Sequence, residues 1–203
     1  MGILALAIGY LIGALPFGIV ITKLVLGIDI RKVGSGNTGT SNVTRALGVG
    51  YGIVNAILDI SKGIVPVLIA RSLGLGLAWQ CGASLAAVIG HNWPIYTMFK
   101  GGKGIATSFG ALVVLEPRFL LIVPIFAIIV LSTRIKSLAS MTSAFLLIPL
   151  SLVLKAPWEI VILTVVICCM AIYRHKNNIK RLLAGKENKI SYRLKPDTSL
   201  KKK

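Results

Sequence analysis

From residue 3 to residue 173 the chain is a succession of apolar runs separated by short polar breaks. Inside hydrocarbon a backbone must satisfy its own amides and carbonyls, so runs of this kind become helices packed together in a membrane. Seven spans are predicted, over residues 3–23, 43–70, 78–98, 105–115, 118–133, 138–154 and 158–173. Several are shorter than the ~17–25 residues that cross a bilayer upright, which predicts thin or tilted packing within a bundle. The first run has no basic segment before it and no small-residue cleavage site, so it reads as a retained span. Gly9 and Gly13, four residues apart within it, predict a close helix contact.

The net charge of +17 would suggest a nucleic-acid partner if it lay on a soluble face. It does not: the basic residues punctuate the apolar runs, and no nucleic acid is expected. With the amino terminus outside, one membrane face collects Lys23, Arg31, Lys32, Arg45, Lys100, Lys103, Arg134 and Lys136, with the eleven cations from Arg174 onward. The opposite face receives Arg71, Arg118 and Lys155, and Lys62 lies within a span. The positive-inside rule therefore predicts a cytoplasmic carboxyl terminus. The expected fold is an all-α membrane protein of seven transmembrane helices with glycine-rich cytoplasmic loops. Residues 1–190 form its single integral-membrane domain and residues 191–203 a basic polar tail. The three cysteines, Cys81, Cys168 and Cys169, share no ligand spacing with the two histidines. Neither a metal nor a structural disulfide is expected.

Three polar segments meet on the predicted cytoplasmic face. The first, Gly34 to Gly48, opens with nine residues whose largest side chain is Asn: Gly34, Ser35, Gly36, Asn37, Thr38, Gly39, Thr40, Ser41 and Asn42. Such a run lets backbone N–H groups close around an anion, and Arg45 adds charge. Its Gly34-x-Gly36-x-x-Gly39 spacing mimics a dinucleotide fingerprint, and Asp59 lies 20 residues beyond Gly39. Flanking membrane helices exclude that reading, and Thr40 stands where a P-loop needs Lys. The second segment, FKGGKG, offers Gly101, Gly102 and Gly104 as amide donors and Lys103 as a point charge. His91 and Asn92 stand just before it. The third, Tyr173 to Glu187, has an apolar–basic helical look and carries His175, Asn178 and Glu187.

Counting in steps of three and four places Arg45, Gly48, Gly52, Asn55, Asp59 and Lys62 on one helical face. Intramembrane charges are costly, so Asp59 and Lys62 are expected to face protein as an ion pair.

Together, GSGNTGTSNVTRALG, NAILDISKG, GHNWPIYTMFKGGKGIAT and YRHKNNIKRLLAGKE resemble the bacterial acyl-phosphate-dependent glycerol-3-phosphate acyltransferases, over about residues 1–187. The resemblance implies a seven-helix inner-membrane enzyme with its active site on the cytoplasmic side. Its substrates would be acyl phosphate and glycerol 3-phosphate, its product lysophosphatidic acid, and it would need no cofactor. A peripheral cytosolic enzyme making acyl phosphate would be a partner, beside membrane lipid. Carried over by motif, Ser35 and Arg45 are the essential pair of the first segment. Gly101, Gly102, Lys103 and Gly104 bind phosphate, and Asn178 and Glu187 are the important positions of the third, with His175 beside them. Catalytic roles are expected for Ser35, Arg45, Lys103 and His175, and supporting roles for His91, Asn92, Asn55 and Asp59. Ser35 has no evident base, so direct transfer is expected in place of an acyl-serine step.

Overall fold

A computed structural model of the chain describes residues 1–190 and 196–200. The described residues are helical, without strands. Each expected span contains a helix, but three have breaks that apolar patterning did not show. The first divides into α1 (Gly2–Gly13) and α2 (Phe17–Leu26) around Pro16. The second divides into a short α3 (Thr40–Leu47) and a long α4 (Val49–Ser72). Helix α5 (Leu77–Asn92) stops six residues before the predicted end of its span. Then follow α6 (Ile105–Leu115), α7 (Ile122–Thr133), α8 (Lys136–Val153) and α9 (Trp158–Arg174). A bend of 61° at His175 leads into α10 (Lys176–Leu183).

Three segments are long and apolar enough to cross a membrane: Gly2–Leu26, α4 and α8. The bent pair α9–α10 is a fourth if taken as one span, and α6 and Pro117–Thr133 are shorter apolar helices.

Helix α4 is the axis of the bundle, packing against α1, α3, α5 and α6. The predicted small-residue contact is made between α1 and α5: a Cβ on Gly9 would lie 2.5 Å from the Ala83 carbonyl oxygen, and one on Gly13 would meet that of Ala87. A second group pairs α8 with α9 and α7 with α8. The main apolar core lies where α5, α6, α8 and α9 meet, with Val88, Leu112, Phe119, Leu147 and Leu163 all buried.

Asp59 and Lys62 do not interrupt α4. Both are buried, their side chains 2.9 Å apart, and Lys62 also donates to the Leu15 carbonyl at the α1–α2 break. A pair satisfied inside the bundle lets a helix carry charge through its middle. The single face counted from Arg45 to Lys62 is corrected here. Gly48 has φ +93°, which favours glycine, and it ends α3 and starts α4 in a new direction. Arg45 therefore belongs to a different helix from Asn55, Asp59 and Lys62.

Of the predicted basic tail, residues 191–195 and 201–203 lie outside the described residues. Residues 196–200 return to the first polar segment, where the Asp197 amide donates to the Ala46 carbonyl at 2.8 Å and Leu200 packs against the cluster of Ile30, Val43 and Leu47.

Candidate active site

The polar loop before α3 is built around Asn42, a residue of α3's first turn and almost fully buried. Its Nδ2 donates to the carbonyls of Ile30, Val33 and Asn37, at 3.1, 2.9 and 3.0 Å. Its Oδ1 accepts the Ser35 amide at 3.0 Å and Arg45 Nη1 at 3.4 Å. One amide side chain thus fixes both ends of the loop and steers the arginine. Gly36 donates its amide to the Val33 carbonyl, and Gly39 donates to Asn37 Oδ1. Ser35, Gly36 and Gly39 thus commit their amides within the loop. From this segment Ser35, Asn37, Thr40 and Arg45 line the cavity.

The second loop rests on the end of α5. Gly102 donates its amide to the His91 carbonyl at 3.0 Å, and a Cβ on Gly102 would overlap the His91 ring. Gly101 sits as tightly over the His91 carbonyl, and Gly104 over the Asn92 side chain. From α9, Arg174 donates to the carbonyls of Gly101 and Gly102, at 3.0 Å and 2.7 Å. These glycines serve close packing, which projects the next residue, Lys103, forward.

Lys103 Nζ donates to Asn178 Oδ1 at 2.5 Å. Burial pushes the Lys103 ammonium down to about 8 despite the Glu187 carboxylate nearby. Asn178 passes its Nδ2 to Glu187 Oε1 at 2.6 Å, and Glu187 also accepts Ser137 Oγ at 3.0 Å and Arg181 Nε at 2.8 Å. Burial alone would raise the Glu187 pKa, but these three donors hold it below its ordinary value. Glu187 thus ties α8 to α10 as an ionised carboxylate.

His175 occupies the α9–α10 bend and is buried. Its Nδ1 lies 2.7 Å from the Ala171 carbonyl, which can only accept, so Nδ1 carries the proton and Nε2 is an acceptor. Burial beside Lys103 pushes its pKa down to about 4.

These segments enclose one cavity of about 540 Å³. Ser35, Asn37, Gly39, Arg45, Lys103, Gly104, His175, Asn178 and Glu187 all line it, and Asp59 and His91 reach it from below. Gly34, Gly36, Thr38, Gly101, Gly102, Asn55 and Asn92 are not among its lining residues. Asn55 acts behind the wall, donating to Asp59 Oδ2 at 2.9 Å and to Thr40 Oγ1 at 3.3 Å. Sequence reasoning did not single out Asn42, Lys136, Ser137, Ser140, Arg174 or Arg181 as residues of the site. Among the described residues, no carboxylate lies within ion-pair distance of Arg45, Lys103, Lys136 or Lys189, so the mouth is cationic. Beyond the mouth the lining is apolar, with Phe109, Leu112, Phe119, Ile122 and Leu147. Such a cavity fits a molecule with an anionic head and a long apolar tail. No cluster of three or more metal-ligating His, Cys, Asp or Glu occurs among the described residues.

Residues 3–185 match the family model for glycerol-3-phosphate acyltransferase. The glycerol-3-phosphate acyltransferase of Thermus thermophilus is 44% identical over 191 residues, covering 93% of this chain and 94% of the relative. That of Desulforudis audaxviator is 44% identical over 194 residues, covering 94% and 96%. The fold matches the crystal structure of PlsY, an integral membrane glycerol 3-phosphate acyltransferase, in its glycerol 3-phosphate form. The TM-score is 0.89 at 39% identity, covering 94% of this chain and 96% of that one. The lysophosphatidic acid form of PlsY matches with a TM-score of 0.85. With a cationic, apolar-tailed cavity on a multi-pass membrane scaffold, the chain belongs to the glycerol-3-phosphate acyltransferase family.

Proposed function

We propose that this enzyme transfers a fatty acyl group from acyl phosphate to the sn-1 hydroxyl of glycerol 3-phosphate, giving lysophosphatidic acid and inorganic phosphate. The observation that carries the reading is the continuity of the cationic mouth with the apolar cavity behind it. Both substrates bring a phosphate, and the donor alone brings a long chain. Arg45, Lys103 and Lys136 neutralise the phosphates, with Asn178 fixing the direction of the Lys103 ammonium. The chain lies between α6, α7 and α8, where burial is worth ~0.8 kcal/mol per methylene.

In the proposed reaction the glycerol hydroxyl oxygen attacks the acyl carbonyl carbon. The bond from that carbon to the phosphate oxygen breaks, and phosphate departs with the electron pair. The hydroxyl proton passes to a substrate phosphate. Ser35 accords with a binding role: its hydroxyl has no histidine or carboxylate in hydrogen-bond reach among the described residues, whereas its amide is fixed by Asn42. His175 is the alternative base, through Nε2. Charge stabilisation on the departing phosphate by Lys103 and Arg45 is the main catalytic contribution, typically ~3 kcal/mol per well-placed donor.

The proposed topology has seven spans, with the amino terminus outside and the three polar segments on the cytoplasmic side of the inner membrane. It draws on the distribution of basic residues. A peripheral cytosolic enzyme would then deliver acyl phosphate to that face.

The test is purified protein in vesicles with glycerol 3-phosphate and, separately, acyl phosphate, acyl-CoA or acyl carrier protein thioester. Lysophosphatidic acid and stoichiometric phosphate from acyl phosphate alone is the expected result. Equal turnover with a thioester would overturn the donor assignment.

A further inference from the structure

The apolar end of the cavity has a floor, and four elements define its depth. On α8 the lining runs from Lys136 to Leu147, eleven residue steps, or ~16 Å of helix rise. Along α6 it runs from its N-cap Gly104 to Leu112, along α7 from Val130 back to Ile122, and along α9 from its C-cap His175 back to Ile167, each eight residue steps or ~12 Å. Hydroxyls line only the nearer part, at Ser108, Ser140 and Ser143. Past them the four walls converge on Leu112, Phe119, Ile122 and Leu147, which are buried against one another in the main core. Phe119 is 1% exposed and sits in the turn Pro117–Leu121, beyond the far end of α6. Glu116 fixes that turn by accepting the Arg118 amide at 3.3 Å and its guanidinium at 2.6–2.7 Å. The ring that closes the cavity is therefore held by a clamped turn at the end of the helix.

We propose that Phe119 and Leu147 form a stop that sets the longest acyl chain the enzyme takes up in full. The inference rests on the reading that the acyl chain of the donor lies in this cavity. A fully extended hydrocarbon chain advances ~3.8 Å per three bonds, a little more than a peptide backbone, so ~12–16 Å accommodates about 9 to 13 carbons before the floor. For a donor presented from water, a methylene that finds room in the cavity raises kcat/KM about fourfold, the equivalent of ~0.8 kcal/mol of apolar burial. A methylene that meets the Phe119 ring gains nothing.

The experiment is an internal competition. A mixture of saturated acyl phosphates from decanoyl to stearoyl is supplied with glycerol 3-phosphate, and the lysophosphatidic acids are resolved by mass spectrometry. The product ratios give relative kcat/KM directly. In the natural enzyme, preference should climb with chain length and then break. Phe119→Ala should move the break about two carbons longer, the space its ring vacates. Ala144→Leu, one turn nearer the mouth, should move it shorter and does not depend on the Phe119 variant folding. A break that stays in place in both variants, or a preference that never breaks, would overturn the stop. Absence of product from every acyl phosphate, with turnover of acyl-CoA, would instead reject the donor assignment. The same competition run with acyl-CoA would then test the stop on its own.

Discussion

Lys103 and Asn178 are joined at 2.5 Å although 75 residues separate them, and their contact brings the second glycine loop onto α10. Lys103 cannot swing freely, because Asn178 is itself held by Glu187. A lysine placed in this way supplies charge where phosphate is expected to collect. Lys103→Met should lower kcat/KM at least about 100-fold, the cost of one charge-stabilising donor, with the protein still extracted as a folded monodisperse species. Asn178→Leu should give a smaller loss, about tenfold, because the charge remains and only its direction is lost.

Lys103 also predicts a pH profile. Burial holds its ammonium at about 8 in the free enzyme, so it is charged below that pH and neutral above. kcat/KM for glycerol 3-phosphate should therefore fall as pH rises through about 8. Bound phosphate favours the charged form, so the alkaline limb of kcat should lie at higher pH than that of kcat/KM. Lys103→Arg should weaken activity yet remove the limb, since a guanidinium stays protonated. An unchanged limb in that variant would assign it to another group.

His175 gives a different pattern. Its pKa is pushed down to about 4, so its ring is neutral throughout the working range. On the substrate-assisted mechanism, His175→Ala retains more activity than Arg45→Ala, and the pH profile keeps its shape. A loss as deep as that of Arg45→Ala, with glycerol 3-phosphate binding intact, would make His175 the base.

The packing of Gly102 on His91 is testable by paired substitution. Gly102→Ala places a methyl group inside the space of the His91 ring, so the loop carrying Lys103 must shift. A loss of ~10²-fold in kcat/KM is expected, as for other displacements of about 1 Å in an active site. His91→Ala added to Gly102→Ala should recover part of that loss. No recovery would mean that the Gly102 amide and carbonyl contacts matter more than the space.

The Asp59–Lys62 pair supports the bundle from inside. Replacing Lys62 alone by Met strands a buried carboxylate, a loss typically of ~3–5 kcal/mol. Lys62→Met with Asp59→Leu should be more stable than Lys62→Met alone. Thermal unfolding in detergent compares the two.

Among the described residues each apolar run holds a helix, because hydrocarbon leaves a backbone few alternatives, whereas α10 lies in the polar segment beyond them. Apolar patterning missed the division at Pro16, where residues on both sides remain apolar, and the one at Gly48, where an apolar run was taken to begin inside the short polar helix α3. The consequence was local but chemical: Arg45 was assigned to the face of Asp59 when Gly48 turns it onto α3. Motif spacing located Arg45 and Lys103, but neither Lys136 and Arg181 nor the residues that hold these charges in place. Asn42 acts through backbone carbonyls up to 12 residues back and Arg174 through one 72 residues away, and no spacing in a sequence records such contacts. Lys136 and Ser140 looked like a loop and the start of a span, and only packing of α8 against α9 brings them to the cavity.

Helix α7 supplies Val123, Phe126 and Val130 to the cavity wall, yet of its residues only Ile122 is buried. Its outer face, with Ile128 and Leu131 exposed, is left to pack against lipid. One wall of the cavity is thus a single helix whose far side is exposed, and on the proposed topology the pressure of the surrounding bilayer acts on the size of that space. Turnover measured at constant donor mole fraction in bilayers of increasing acyl order should fall as the lipid stiffens.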